Sequence, residues 1–179
     1  MEQTTQELNP FLSLQVERKP KAKKKPYIKP AAVKRLEDRL HEARLKRYAH
    51  LDIPPSYIVK EKRRDDTANG LTQCVIDWIR LSGGQAERIN TTGKPLFQRD
   101  QRGQVRGVKW ITGNTTRGSA DISATIQGRS VKVEVKIGKD RQSEAQKAYQ
   151  EAIEAAGGVY FIARSFTQFL EWYEREFPA

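Results

Sequence analysis

Cysteine is nearly absent. Cys74 stands alone among 179 residues, which excludes an internal disulfide and any zinc site built from cysteines. That usage fits an intracellular, cytoplasmic setting. Histidine is almost as scarce, and His41 and His50 lie in a charged stretch where they read as surface residues. No run of about 20 apolar residues occurs, so no membrane partner is expected. The start, Met1-Glu2-Gln3-Thr4, lacks the basic and then apolar order of a secretory signal, so the expectation is a soluble protein. Acidic residues are also in deficit: 33 Lys and Arg face 22 Asp and Glu, for a formal net charge of +11. Such a balance favours a polyanionic partner.

The basic excess is heavier in front, where residues 1–30 hold a tract running from Arg18 to Pro26 with Lys23, Lys24 and Lys25 at its centre. With almost nothing apolar to bury, this stretch reads as a disordered tail, either a solvated linker or an arm that binds phosphates. Over residues 31–48, Val33, Leu36, Leu40 and Ala43 recur at helical spacing among charges, which predicts an amphipathic helix. Pro54-Pro55 ends any helix, and a charged connector fills the rest of 31–66.

A folded domain is expected over 67–179. Leu71, Cys74, Val75, Trp78, Ile79 and Leu81 mark one face of a helix that Gly83-Gly84 stops, and 85–90 reads as a strand. Residues 94–118 are basic and punctuated by glycine. Phe97, Val108 and Trp110 suggest a short hairpin or edge strand inside them, and the position suits a contact with a nucleic-acid backbone. Residues 140–156 read as a helix with Ala145, Ala148, Tyr149, Ala152, Ile153 and Ala156 on one face. Tyr149 belongs to that packing stripe. The apolar run 159–163 reads as a strand buried on both faces. Ser165 and Gln168 offer a capping box for a closing helix with Phe166, Phe169, Leu170, Tyr173 and Phe177 inward. The order predicts an α/β domain, a central mixed sheet flanked by helices.

The most informative stretch is 120–137. Ala120, Ile122, Ala124 and Ile126 alternate with polar residues, and so do Val131, Val133, Val135 and Ile137. With Gln127-Gly128 as a two-residue turn, Ile126 pairs with Arg129 and Asp121 faces Glu134. A three-residue loop would instead put Asp121 opposite Val135. Directly opposed residues share a face with Cβ atoms about 5 Å apart, where two carboxylates repel unless a cation sits between them. A hard divalent ion such as Mg2+ suits oxygen ligands. Lys136 projects from the same polar face.

An aspartate opening one strand and Glu-x-Lys in the next, within this order of elements, resemble the PD-(D/E)xK nuclease superfamily. Arg88 to Gly93, Gly118-Ser119-Ala120-Asp121, Val133-Glu134-Val135-Lys136, Gln146 and Ala156-Gly157-Gly158 are similar to the VRR-NUC family. Ala120 stands where the superfamily's name has proline. The resemblance implies a restriction-endonuclease-like core and a metal-dependent DNA endonuclease of phage or mobile-element replication and repair. It implies Mg2+, with Mn2+ as a substitute, held by Asp121, Glu134 and the backbone carbonyl of Val135. It also implies Lys136 and Gln146 in catalysis, Arg88 and Asn90 on DNA, and a homodimer acting on branched DNA, while Arg117 is a DNA contact by its place in the basic loop before the carboxylates. Two points stay open. Ser143 to Gln146 is itself a capping box that explains Gln146 without catalysis. Relatives carry a glutamate in the first domain helix, and here Asn69, Gln73 or Asp66 would stand in for it, so an inactive DNA-binding protein of the same fold is the alternative reading.

Overall fold

A computed structural model describes residues 26–89, 93–111 and 116–178, so Lys23, Lys24, Lys25 and Asn90 lie outside the described residues. In chain order the elements are α1 (Ala31–Tyr48), a 3-10 turn (Pro55–Tyr57), α2 (Ala68–Leu81), β1 (Gln85–Arg88), β2 (Lys94–Arg99), β3 (Val105–Ile111), β4 (Ile122–Ile126), β5 (Arg129–Val135), α3 (Glu144–Ala155), β6 (Val159–Ala163) and α4 (Phe166–Glu176). Four strands form one mixed sheet in the order β1-β4-β5-β6, and β2 pairs with β3 in a separate hairpin. The protein is therefore mixed α/β, with helices against a mixed four-stranded sheet.

The β4–β5 hairpin sets the geometry of everything near it. Gln127 and Gly128 both take positive φ, 47° and 77°, the conformation of a two-residue turn whose twist matches the flanking strands. Ile126 pairs with Arg129 and Ile122 with Val133, as the count along the sequence requires. Alternation then sends Ile122, Ala124, Ile126, Val131, Val133 and Val135 to one face, where all are buried. The helices α2 and α4 pack on the sheet, and α1 packs on α2 and α4. Trp78 of α2 lies at the centre of this packing, edge-on to Phe166 and Tyr173 of α4. Removing so much aromatic surface from water is the main stabilising term here.

The helix of residues 31–48 docks into this same core through Val33 and Leu36, both fully buried. Its Glu37 is buried as well and accepts from Lys29 Nζ at 2.5 Å and from the Arg63 backbone N–H at 2.6 Å. Packing starts earlier than the charge pattern places it. Tyr27, within the stretch read as tail, donates its hydroxyl to Asp65 Oδ1 at 2.9 Å, and Asp65 Oδ2 accepts the N–H of Phe166 at the start of α4. The buried Asp65 carboxylate thus ties three distant segments together, which a reading by local composition does not reveal.

Three expectations are corrected. The strand read as buried on both faces, β6, is an edge strand of the described sheet; it runs parallel to β5, and Val159, Tyr160, Phe161 and Ile162 are only half-buried. Its apolar run reflects cover by α3 on one side and by α4 on the other, with one flank unpaired. The helix read from 140 begins at Glu144, because Gly138 turns the chain with a φ of 62° and the Ser143 hydroxyl caps the helix by accepting the Gln146 N–H. Ser165 caps α4 by accepting from Gln168 N, but Gln168 Oε1 reaches Arg164 N, so the reciprocal arm is displaced by one residue.

Candidate active site

Strand alternation that buries Val131, Val133 and Val135 turns Lys132 and Glu134 to the opposite face. One step outward from the Ile122–Val133 pair, the chain sets Asp121 beside Glu134. The Asp121 carbonyl accepts the Ile89 N–H at 2.8 Å, and its carboxylate Oδ2 accepts the Val135 N–H at 2.9 Å. Those two bonds orient the side chain at the strand's mouth.

An exposed polar strand face would leave these groups in water. Glu134 and Lys136 are instead 2 % and 5 % exposed. The Lys136 ammonium lies 3.1 Å from Glu134 Oε1, 3.1 Å from Gln146 Oε1 and 3.4 Å from Asp140 Oδ2. Glu134 Oε1 also accepts from Gln146 Nε2. The second oxygen, Oε2, is buried with no hydrogen-bond partner among the described residues. Burial, and then the Asp121 charge, hold the Glu134 carboxyl above the usual carboxylate range against the pull of Lys136.

Gln146 caps its helix, as the sequence explains it, and also touches the buried acid and ammonium. At the third position of α3, its Oε1 accepts the Ser143 N–H at 2.9 Å while Ser143 Oγ accepts the Gln146 N–H, a complete capping box. The same amide then presents Nε2 to Glu134 and Oε1 to Lys136. The cap therefore fixes the amide, and the amide fixes the buried acid and ammonium. Gly118 brings α3 close enough for this. Its φ is 82°, and a Cβ there would fall 2.3 Å from the Ala145 carbonyl.

The remaining residues divide. Arg117 is exposed on the turn before Ser119 and lines an open depression with Ser119, Ser143 and Gln146, directly beside the cluster. Arg88 is not gathered with them. It pairs with Ile122, whose side chain is buried under α2, so alternation sends Arg88 to the other face, where it donates to Asn69 Oδ1 at 2.8 Å. Of the residues weighed as substitutes for a helix glutamate, Gln73 donates to Asp77 and Asp66 is bridged to Arg64. Tyr149 packs edge-on to Tyr160, in keeping with a packing role. Asp140 is the partner that sequence reasoning missed. It stands four residues after Lys136, a spacing meaningful on a helix, but here a glycine turn folds the chain back.

The donor set fits a divalent cation. Glu134 Oε2, buried and without a partner among the described residues, and the nearby Asp121 carboxylate, whose charge raises the Glu134 carboxyl, offer the hard oxygens such an ion takes. Among the described residues no group of three or more His, Cys, Asp and Glu gathers at one point, so backbone carbonyls and water would complete the shell. No family model matches the chain, and no curated protein matches it in sequence.

Proposed function

We propose that this protein is a metal-dependent nuclease that hydrolyses DNA phosphodiester bonds, with a restriction-endonuclease-like core of the PD-(D/E)xK kind, similar to VRR-NUC. One observation carries the reading: the buried Glu134, its Oε2 without a partner among the described residues, held against Asp121 and bonded to Lys136 and Gln146. Asp121 and Glu134 would hold Mg2+, or Mn2+ in its place, with the Val135 carbonyl as the third protein ligand that the resemblance implies. When bound, the ion polarises a phosphate oxygen and lowers the pKa of a coordinated water.

The chain's own residues do the rest. Lys136, anchored by three partners, directs an ammonium at the attacking water or at the oxygens where charge develops. Gln146 keeps the acid and the ammonium in register. Arg117 lies where a neighbouring phosphate would pass, and the net charge of +11 draws in the polyanion. The expected product carries a 5′-phosphate, and the substrates we infer include branched DNA cut by a homodimer in an intracellular setting. Among the described residues no helix is long and apolar enough to cross a membrane.

A second reading, a DNA-binding protein of the same fold without catalysis, draws on the engagement of Asn69, Gln73 and Asp66 elsewhere. Supercoiled plasmid and a synthetic four-way junction, incubated with Mg2+ or Mn2+ beside an Asp121→Ala variant, separate the two. Cutting by the wild type alone supports the nuclease. Binding without cutting under either metal supports the second reading.

A further inference from the structure

Among the described residues, β2 and β3 pair only with each other outside the main sheet, and the hairpin carries its apolar residues in the open. Phe97, Val108 and Trp110 are 52 %, 52 % and 65 % exposed, whereas Trp78 and Trp172 are 2 % and 8 % exposed. Pro95 stands opposite Trp110 and Phe97 opposite Val108. Directly opposed residues project to one face, so these four form a single apolar surface. Arg99 and Arg106 follow at the turn end, where the register shifts past Gln98. An exposed cluster of that kind marks a binding surface.

Charge and position say what it binds. Residues 94–111 carry five basic side chains against one acid, Asp100, which is bridged to Arg106 at 2.8 Å. Along the chain the hairpin lies between β1 and β4, two strands of the sheet that carries the candidate site. The chain leaves the main sheet at Ile89, bonded to the Asp121 carbonyl, and rejoins it at Asp121. A protein partner would have no need of the positive excess. A nucleic acid uses both features, bases on the rings and phosphates on the guanidiniums.

We propose that the face of Phe97 and Trp110 stacks unpaired nucleobases, so that the protein prefers single-stranded or branch-point nucleotides to continuous duplex. The inference rests on the nucleic-acid reading above. Every base has a π-face, so such stacking tolerates any sequence, but bases inside a duplex already have both faces covered. Arg99 and Arg106 at the turn end, with Lys109 on the other face of the hairpin, supply the positive charge for the adjoining backbone.

The test uses the full chain in EDTA, where no cutting occurs. Fluorescein-labelled oligo-dT, a four-way junction and a blunt duplex of equal length are titrated against wild type, Trp110→Ala, Phe97→Ala and Trp110→Phe. Loss of one stacking ring lowers affinity about five- to 150-fold. The alanine variants should therefore lose at least about fivefold on oligo-dT and junction but little on duplex, and Trp110→Phe should retain binding. Because Trp110 is the open one of the three tryptophans, oligo-dT should also quench intrinsic fluorescence in wild type and leave it unquenched in Trp110→Phe. Unquenched wild-type fluorescence with unchanged affinities in the alanine variants overturns the proposal. So does a variant that loses self-association while binding nucleic acid normally, since the face would then belong to a second copy of the chain. If plasmid is still cut in the first of these cases, the hairpin inference alone fails. If no nucleic acid binds the wild type in any form, the nuclease reading fails with it.

Discussion

Gln146→Glu isolates what the site does from what the helix cap does. Glutamate at the third position of a helix preserves the capping box, so Ser143 keeps its partner and α3 keeps its start. The Lys136 ammonium keeps an acceptor. The one change is at Nε2, where a donor to the buried Glu134 becomes a third carboxylate facing two others. A hydrogen bond to a charged group contributes about 1.5–3 kcal/mol, and because Gln146 is half-buried the lower part of that range, about 2 kcal/mol, is expected. For a chain of this length that lowers Tm by about 4–8 °C. The sign with pH follows from Glu134, which is held above its ordinary range. A carboxyl raised in the folded state stabilises the fold when protonated, and that contribution is lost as pH rises through the raised value. The deficit of Gln146→Glu should therefore be small near pH 4, grow towards neutrality, and shrink again when Mg2+ is added. Thermal melts read by circular dichroism at several pH values, with and without Mg2+, measure all three. A variant as stable as wild type at neutral pH, or one with the same deficit at every pH, would refute the bond between the amide and the acid.

Other consequences are open to direct measurement. Free Mg2+ at about 100 times its Kd should stabilise the wild type by about 2.7 kcal/mol, and Glu134→Gln should abolish the shift. Metal affinity by calorimetry should rise with pH, because the ion binds the deprotonated carboxylate and Glu134 sheds its proton later than an ordinary acid; affinity independent of pH would count against Glu134 as a ligand. Gly118→Ala forces a left-handed residue with a side chain, at about 1–2 kcal/mol, and drives its Cβ into the Ala145 carbonyl; melts should show lowered stability, and plasmid assays lost cutting, since α3 carries Gln146. Cys74 is buried and its thiol is pushed up to about 12, mainly by burial. Native protein at pH 8 should react with a thiol reagent about 1000-fold more slowly than unfolded protein, and fast native labelling would show that the packing of α1 on α2 opens readily.

The period of the residues determined the local pieces. Two runs of strict alternation around Gln127-Gly128 set the strands, and once the turn holds two residues one pairing is left, since a single slip would expose every valine of β5. From that register alone Asp121 meets Glu134, and Lys136 falls on their side. The helix stripes at 31–48 and 71–81, and the capping box at Ser143, were legible for the same reason, because helical spacing and cap chemistry act within a few residues. Tertiary structure decided what such rules do not reach. Burial of Glu134 and Lys136 depends on α3 folding back over the sheet, and Gln146's double service depends on the approach of Gly118 to Ala145. Asp140 joins Lys136 through a turn, Asp65 links Tyr27 to α4, and β6 ends up at an edge. Arg88 is turned away from the acids by the same alternation that brings them together. Each of these pairings closes a loop, joins segments brought together only by the fold, or depends on which element covers which face, so the charge and spacing of neighbouring residues carry no trace of it.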